Sequence, residues 1–249
     1  MKKKIISKKK FQLLNRSSAY KMSKDIKINN DAKKIFVNAD KKYRWLHQYT
    51  WMGEPILNIP QDVMAMQEII YRTKPDYIIE TGVAWGGSIL FLASMLKIFG
   101  GKKVIGIDTF LPKNVLHALS KDKNLLKKIE LIKGSSVDEL IVKKVQKIIR
   151  GSKKEIVNLD SNHTHEHVSE ELKIYSKFVT KNNYIICGDT VVEFIPKQTH
   201  RPREWGPKNN PYTALKEFLS KNKRFKTDFD LSNKLLFTNH PGGYVYAKN

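Results

Sequence analysis

Acidic residues follow four apolar stretches of the sequence, at the points where strands are expected to end. They are Glu80, Asp108, Asp160 and Asp189. In an open α/β sheet, ligands bind beyond the carboxyl ends of the parallel strands, which lie along one edge. A single acid after a strand is ordinary, because such a residue also caps the next helix. Four in succession predict a shared site in which carboxylates accept hydrogen bonds or hold a cation.

The first of these acids opens a glycine-rich turn, ETGVAWGGS, at residues 80–88. Glycines let the backbone approach a ligand closely, and the free N–H groups of the following helix bind an anion. The spacing is not the Gly-x-Gly-x-x-Gly of dinucleotide sites, so the turn alone fits an ordinary strand–helix connection equally well. As a cofactor site, the turn would act through Glu80, Thr81, Gly82, Gly86 and Ser88.

Two further segments extend this prediction toward a nucleoside. Asp108 ends the next predicted strand, 26 residues after Gly82. There its carboxylate is placed to accept hydrogen bonds from ribose hydroxyls. Gly134, Ser135 and Ser136 follow the third predicted strand, and we expect them to border the adenine of the same nucleoside.

Three histidines, His163, His165 and His167, alternate with other residues shortly after Asp160. Their spacing is not the His-x-x-x-His of helical zinc sites, and the sequence has a single cysteine, so zinc is disfavoured. We expect His165 and His167 to lie at the solvent-exposed start of a helix.

The elements that must position these residues alternate between apolar strands and amphipathic helices. Helical periodicity covers residues 62–74, with Asp62 as the expected N-cap. This alternation favours a mostly parallel sheet covered by helices on both faces, an α/β fold. Two final stretches, 225–231 and 234–238, predict an antiparallel hairpin. The predicted parallel strands are residues 77–80, 104–108, 129–132, 155–160 and 184–189.

The composition limits the classes of function. Among 249 residues, 46 Lys and Arg oppose 24 Asp and Glu, for a formal net charge of +22, and 41% of residues are hydrophobic. This apolar content argues against wholesale disorder, and no apolar run reaches the roughly 18 residues of a membrane helix. One cysteine excludes a disulfide scaffold, and no secretory signal is evident. We therefore expect a cytoplasmic protein, at most peripheral at the inner membrane face.

Charge and aromatic content divide the chain into three predicted parts. Residues 1–34 form a basic arm with a net charge of +10 and an expected break at Asn29–Asp31. We expect this arm to be mobile or loosely docked. Residues 35–61 form an aromatic-rich cap that either packs on the core or lines a pocket. Residues 62–249 form the α/β domain.

The glycine turn, Asp108 and the antiparallel ending together resemble the Rossmann-like class I methyltransferases, which depend on S-adenosylmethionine (SAM). A closer resemblance is carried by WLHQYTWMG at 45–53, LDSNHTHEH at 159–167, CGDT at 187–190 and WGPKNNP at 205–211. These segments are similar to the cephalosporin hydroxylase/rhamnosyl O-methyltransferase family, over about residues 35–249. The resemblance implies that residues 62–249 are a methyltransferase domain. It also implies that SAM lies over the 82–88 turn, with its ribose on Asp108 and its adenine beside residues 134–136.

The same resemblance implies a Mg²⁺ ion held by Asp160 and Asp189, with Asp160 also contacting the cofactor. Such an ion lowers the pKa of a coordinated hydroxyl. His163 would then be the general base, the alternative being a histidine that only positions Asp160. Gly188 is a departure, because relatives often carry a second acid there. The metal is then weaker, more hydrated or absent.

The sequence therefore predicts a SAM-dependent O-methyltransferase that acts on a hydroxyl of a sugar or glycosylated substrate, in a polysaccharide, glycolipid or secondary metabolite. A hydroxylase is the first alternative, although no two-His-one-carboxylate triad is evident. A basic nucleic-acid-binding protein is the second, supported by net charge alone. We expect a glycan or small-molecule acceptor and no nucleic acid. A homo-oligomer, and transient contact of residues 1–34 with an anionic membrane surface, stay open.

Overall fold

The computed structural model describes residues 6–111, 122–197 and 202–248. Its central feature is a seven-stranded sheet, with a separate two-stranded ribbon formed by β1 and β2. The strands are β1 Thr50–Trp51, β2 Glu54–Pro55, β3 Tyr77–Thr81, β4 Lys103–Asp108, β5 Ile129–Lys133, β6 Glu155–Leu159, β7 Tyr184–Cys187, β8 Phe225–Thr227 and β9 Tyr244–Ala247. The strand order in the sheet is β5-β4-β3-β6-β7-β9-β8. Strands β3 to β7 are parallel, and β9 is antiparallel to both β7 and β8.

Helices connect the strands and cover both faces of the sheet. They are α1 Lys8–Lys24, α2 Ile26–Tyr43, α3 Pro60–Thr73, α4 Gly87–Phe99, α5 Lys123–Leu126, α6 Glu139–Ile148, α7 His165–Tyr175, α8 Pro211–Lys221 and α9 Phe229–Ser232. Two 3₁₀ helices span Trp45–Gln48 and Thr190–Phe194. Within the described residues, no helix is both long and apolar enough to cross a membrane.

The core consists of two apolar layers, one on each face of the sheet. Successive strand residues alternate between them, so that Ile78 belongs to the layer under α3 and α4, and Ile79 to the layer under α6, α7 and α8. This follows from the period of two in a strand. Because both faces are covered, the strands are apolar throughout, as a parallel sheet requires. The predicted α/β fold is confirmed.

The prediction that the sheet ends in an antiparallel pair of strands is confirmed, but the position predicted for the second strand is wrong. The strand that pairs with β8 is β9, at residues 244–247, and not residues 234–238. Residues 229–232 are the short helix α9 instead of strand, because the Asp228 carboxylate accepts a hydrogen bond from the backbone N–H of Leu231 and caps that turn. A helix cap therefore overrode the β-like composition of this segment.

The arm is helical in the described residues, although its sequence shows no sustained helical period. The expected break at Asn29–Asp31 is wrong, since α2 runs through it. Asp25 caps α2 by accepting from the backbone N–H of Ile28, and the Asn29 side chain donates to the carbonyl of Asp25. No residue of α1 is buried, whereas α2 crosses the expected boundary at residue 34 and buries Ala32.

Asp62 is not the N-cap of α3 but a buried residue of its first turn, since the helix starts at Pro60. Its carboxylate is 1% exposed. It accepts hydrogen bonds from the backbone N–H of Asn239 at 2.7 Å and from the Tyr244 hydroxyl at 2.8 Å. Asp62 thus ties α3 to the C-terminal segment, and these partners lie too far along the chain to be read from local sequence.

Candidate active site

A cleft of about 720 Å³ opens at the carboxyl ends of the parallel strands. Chain order reverses here, because β4 and β5 lie on one side of β3 and β6 and β7 on the other. Such a switch point is where ligands bind in open α/β sheets. Nine of the predicted site residues line this cleft: Gly82, Ser88, Asp108, Gly134, Ser135, Ser136, Asp160, His163 and Asp189.

The glycine turn approaches the end of β6 so closely that only glycine fits at its first position. Gly82 has a φ of +88°, and a Cβ there would lie 2.0 Å from the carbonyl oxygen of Asp160. Residues with a side chain are strained at this φ and cannot occupy the space. The predicted close approach of the backbone is therefore present, although its direct partner is the Asp160 backbone.

Gly82→Ala is expected to lower both the free energy of unfolding and the affinity for SAM, because the methyl group forces the turn away from Asp160. Overpacking of this kind costs about 1–3 kcal/mol, in addition to the strain of positive φ. Gly100→Ala is the matched control, since Gly100 has a φ of +95° with nothing within 4 Å of a Cβ. Urea unfolding and calorimetry of both variants compare them. Equal losses in the two would contradict the steric explanation.

Asp108 holds the glycine turn in place from the neighbouring strand. Its Oδ2 accepts from the backbone N–H groups of Val83 at 2.7 Å and Ala84 at 3.2 Å. Its Oδ1 accepts from the N–H of Phe110 at 3.0 Å. A carboxylate has about four acceptor positions, so Asp108 keeps capacity for a ligand hydroxyl while it orders the turn.

Three predicted cofactor residues, Glu80, Thr81 and Gly86, do not line the cleft. Glu80 lies inside β3 and is 1% exposed. Its carboxyl group accepts from Ser88 Oγ at 3.0 Å and from the Asn158 amide at 2.8 Å. Thr81 is buried and accepts, through its carbonyl, from the N–H of Asp160 at 3.0 Å. Glu80 and Thr81 thus support the glycine turn from its buried side. Direct contact of all three residues with a cofactor stays a prediction.

The stability of the cofactor-free protein is expected to fall as the pH rises from about 4.5 to 7. Burial raises the pKa of Glu80 from 4.5 to about 7, against the opposing hydrogen bonds from Asn158 and Ser88. In this window Glu80 keeps a proton in the folded protein that it releases in the unfolded chain, so its contribution to stability declines by up to about 3 kcal/mol. Glu80→Gln should remove the part of the decline that Glu80 contributes, whereas Glu139→Gln on the exposed face of α6 should keep it. Denaturant unfolding across this pH range measures the difference, and an unchanged decline in Glu80→Gln would contradict it.

Asp160, His163 and Asp189 form a group whose ligand atoms all lie within 4.8 Å of one another. Burial, together with the nearby Asp189 and Glu80 carboxylates, raises the pKa of Asp160 well above its ordinary value. A divalent cation would stabilise the ionised carboxylates at this position. Two ligand atoms on opposite sides of one Mg²⁺ ion lie about 4.2 Å apart. The donor set therefore fits a small divalent cation after minor adjustment.

Gly188 leaves no room for a third acid beside these two. A Cβ at this position would lie 2.6 Å from the carbonyl oxygen of Leu159 and 2.8 Å from Oδ1 of Asp160. The close packing of residue 188 against the end of β6 accounts for a glycine, rather than an acid, at this position. The local backbone would have to shift before an acid at 188 could become a ligand.

His163 is mostly enclosed beside this group. Its Nε2 lies 3.5 Å from Oδ2 of Asp189, and its ring meets the Trp205 ring edge-on with centroids 5.0 Å apart. Burial lowers the pKa of His163, although Asp189 opposes the shift. A ring held neutral in this way can accept a proton at neutral pH. Mg²⁺ prefers oxygen ligands, which favours His163 as a base over a metal ligand.

The expectation of an exposed His167 is wrong, because this side chain lines the cleft. Its Nε2 lies 3.1 Å from both Ser136 Oγ and Ser161 Oγ. Ser161 in turn donates to the fully buried carboxylate of Glu171 at 2.8 Å. The i, i+4 spacing of His167 and Glu171 on α7 was the available indication that they share a face. His165, by contrast, lies outside the cleft, with Nδ1 2.8 Å from Thr213 Oγ1.

The aromatic-rich cap both packs on the core and lines the cleft. Trp51 meets Phe91 edge-on with ring centroids 5.0 Å apart. Leu46 and His47 face the cleft. On the other side, Arg203 lies over the Trp205 ring at 5.1 Å, and both line the cleft. The site is thus walled by segments outside the sheet as well as by strand ends.

Of the eight non-glycine residues with positive φ among the described residues, three line this site. Among the described residues, Leu57, Ala84 and Asp189 are three non-glycine residues with positive φ, at 50°, 46° and 48°. All three line the cleft. Such conformations persist where surrounding contacts hold them, and they cluster at ligand sites.

Comparisons with known proteins agree with this geometry. The model of the rhamnosyl O-methyltransferase/CmcI family matches residues 43–248. A rhamnosyl O-methyltransferase of Mycobacterium tuberculosis is 24% identical over 216 residues, which is 83% of this chain and 84% of the relative. The corresponding protein of Mycobacterium leprae is 26% identical over 160 residues, 61% of this chain and 67% of the relative.

Solved structures show the same fold. An apo structure of CmcI superimposes with a TM-score of 0.59 at 19% identity, covering 82% of this chain and 77% of CmcI. A structure of CmcI with Mg and SAM has a TM-score of 0.56 at 19% identity, with 81% and 77% covered. The chain therefore belongs to the rhamnosyl O-methyltransferase/CmcI family, and its predicted class, a SAM-dependent O-methyltransferase, is confirmed.

Proposed function

We propose that this protein transfers the methyl group of SAM to a hydroxyl of a sugar or glycosylated acceptor, with help from a divalent cation such as Mg²⁺. The observation that carries the proposal is that a predicted cofactor site and a predicted metal site line the same cleft. The glycine turn and Asp108 lie beside the cluster of Asp160, His163 and Asp189. The rhamnosyl O-methyltransferases among its relatives favour a rhamnosyl acceptor.

The cofactor end of the cleft is formed by the two loops at the ends of β3 and β5. Gly82 and Asp108 shape the first loop, so the ribose hydroxyls can reach the Asp108 carboxylate. Ser135 and Ser136 border the adenine from the second. His167 joins Ser136 to Ser161, and it thereby links the adenine side to the residue next to Asp160.

The other end of the cleft, where we propose that methyl transfer takes place, contains the carboxylates of Asp160 and Asp189 and the imidazole of His163. Asp160 and Asp189 would hold Mg²⁺, which supplies positive charge that lowers the pKa of the acceptor hydroxyl. His163 accepts the hydroxyl proton, because burial lowers its pKa and so favours the neutral ring, and its Nε2 lies 3.5 Å from Oδ2 of Asp189. Trp205 packs edge-on against the ring of His163, whose side chain is 14% exposed. The acceptor oxygen then attacks the methyl carbon, and S-adenosylhomocysteine leaves.

Mass spectrometry after incubation with SAM, Mg²⁺ and simple rhamnosides tests this proposal. We expect each product to gain one CH₂ unit on a sugar hydroxyl, with an equal amount of S-adenosylhomocysteine formed. A gain of one oxygen atom would support the hydroxylase alternative instead. Absence of any modification of every glycoside tried, in a protein that binds SAM, would contradict the sugar acceptor.

Several features of the predicted setting stay proposals. They are the cytoplasmic location, assembly into homo-oligomers, and contact of the basic arm with an anionic membrane surface. The exposed, lysine-rich helix α1 is compatible with contact to another copy of the chain and with contact to an anionic membrane surface.

A further inference from the structure

Asp189 lies where the backbone leaves β7, outside the regular structure of the sheet. The strand ends at Cys187, so Asp189 lies beyond the strand pairing. Its φ of +48° is in the left-handed region, which a residue with a side chain rarely adopts. A carboxylate that holds a cation must keep one direction. Contacts from another part of the chain must therefore fix the direction of this one.

One such contact comes from a histidine in the turn at residues 238–243, the C-terminal turn. The backbone N–H of Asp189 donates to Nδ1 of His240 at 3.0 Å. Because a backbone N–H only donates, Nδ1 carries no proton, and the ring has its proton on Nε2. His240 is 5% exposed and does not line the cleft. It therefore contacts Asp189 from outside the space of cofactor and acceptor.

Two further hydrogen bonds join the same two segments. The hydroxyl of Thr190 donates to the carbonyl of Pro241 at 3.0 Å. The N–H of Val191 donates to the carbonyl of Asn239 at 3.0 Å. Three consecutive residues, beginning with Asp189, are thus bonded to the C-terminal turn. A movement of this turn would move the carboxylate as well.

A buried carboxylate holds the C-terminal turn in place. Asp62 on α3 is 1% exposed. It accepts from the Thr238 hydroxyl and from the N–H of Asn239 at 2.7 Å. Thr238 Oγ1 accepts in turn from the N–H of His240 at 2.9 Å. Hydrogen bonds therefore connect α3, through the C-terminal turn, to Asp189 at the end of β7.

We propose that His240 is a positioning residue for Asp189, because it accepts the Asp189 N–H and so sets the direction in which the carboxylate faces a cation. The inference rests on the proposed function, in which Asp189 holds Mg²⁺. Groups that orient a metal ligand typically change metal affinity or activity by about 10- to 100-fold when they are lost. The affinity for Mg²⁺ should then depend on an acceptor atom at the place of Nδ1, and the affinity for SAM should not.

Two substitutions separate the acceptor atom from the size of the side chain. His240→Asn keeps an acceptor, since the amide oxygen can take the place of Nδ1, whereas His240→Leu has none. Calorimetry of the full chain with SAM, titrated with MgCl₂, should show affinity at least about tenfold weaker in His240→Leu and within about threefold of wild type in His240→Asn. SAM affinity should stay the same in both. His165→Leu, outside the cleft, is the matched control and should keep both affinities.

Amide hydrogen exchange of ¹⁵N-labelled protein tests the contact itself and needs no metal. We expect the N–H of Asp189 to be protected in the wild-type protein and in His240→Asn, and to exchange at least about tenfold faster in His240→Leu. An unprotected Asp189 N–H in the wild-type protein would overturn the proposal, even where His240→Leu does not fold.

Two results of the Mg²⁺ titration would also overturn it. They are wild-type affinity in a folded His240→Leu, and equal losses in the leucine and asparagine variants. In both cases Mg²⁺ binding by the wild-type protein leaves the proposed function intact. Absence of Mg²⁺ binding by the wild-type protein, with the Asp189 N–H protected, would instead contradict the cation of the proposed function, and the role of His240 with it.

Discussion

Asp108→Ala is expected to abolish SAM binding, with the affinity falling at least about a hundredfold. The carboxylate orders the glycine turn through Val83 and Ala84, and we propose that it also accepts from the ribose. Hydrogen bonds to a charged group contribute about 1.5–3 kcal/mol each, and 1.4 kcal/mol is a tenfold change in affinity. Calorimetric titration with SAM measures the loss.

The control for this variant is Asp122→Ala. Asp122 also accepts from two backbone N–H groups, those of Asn124 and Leu125, but it lies outside the cleft. This variant should lose stability and keep its affinity for SAM. If Asp108→Ala is folded and binds SAM as the wild-type protein does, the assignment of the cofactor end is wrong.

His163→Ala is expected to lower kcat by about a hundredfold to ten-thousandfold, the usual contribution of a general base. SAM binding should be retained, because His163 lies beside Asp189 and not in either cofactor loop. Single-turnover methyl transfer at saturating SAM measures the chemical step, and calorimetry measures cofactor affinity in the same variant.

His165→Ala is the matched control on the same segment. His165 contacts Thr213 and Glu217 on α8 and is not part of the cleft, so its removal should leave kcat nearly unchanged. Loss of SAM binding in a folded His163→Ala would contradict the role as base. Retention of kcat would leave only a positioning role for this histidine.

The strand ends were predictable because each strand is a short apolar run that stops at a polar residue. Asp108 and Asp160 therefore fell at the correct edge. The end of β3 was predicted one residue early, because the strand continues to Thr81, and the Glu80 side chain is buried instead of lining the cleft. One residue of strand length decides whether a carboxylate faces a ligand or the interior.

The remaining errors have a shared physical cause, which is packing between distant segments. His167 looked like an exposed helical residue, yet Ser136 and Ser161 approach it from other loops. The close contact of Gly82 with Asp160 depends on the packing of β3 against β6. Phe36 of α2 stacks on Phe237, about 200 residues further along the chain. No local pattern in the sequence reports such contacts.

Titration of the wild-type protein with SAM, with and without Mg²⁺, tests most directly whether cofactor and cation share one cleft. We expect one SAM site per chain, and a separate Mg²⁺ binding heat that Asp189→Asn loses while SAM binding is kept. Absence of SAM binding, together with tight and salt-sensitive binding of RNA, would contradict the account and favour the nucleic-acid-binding alternative.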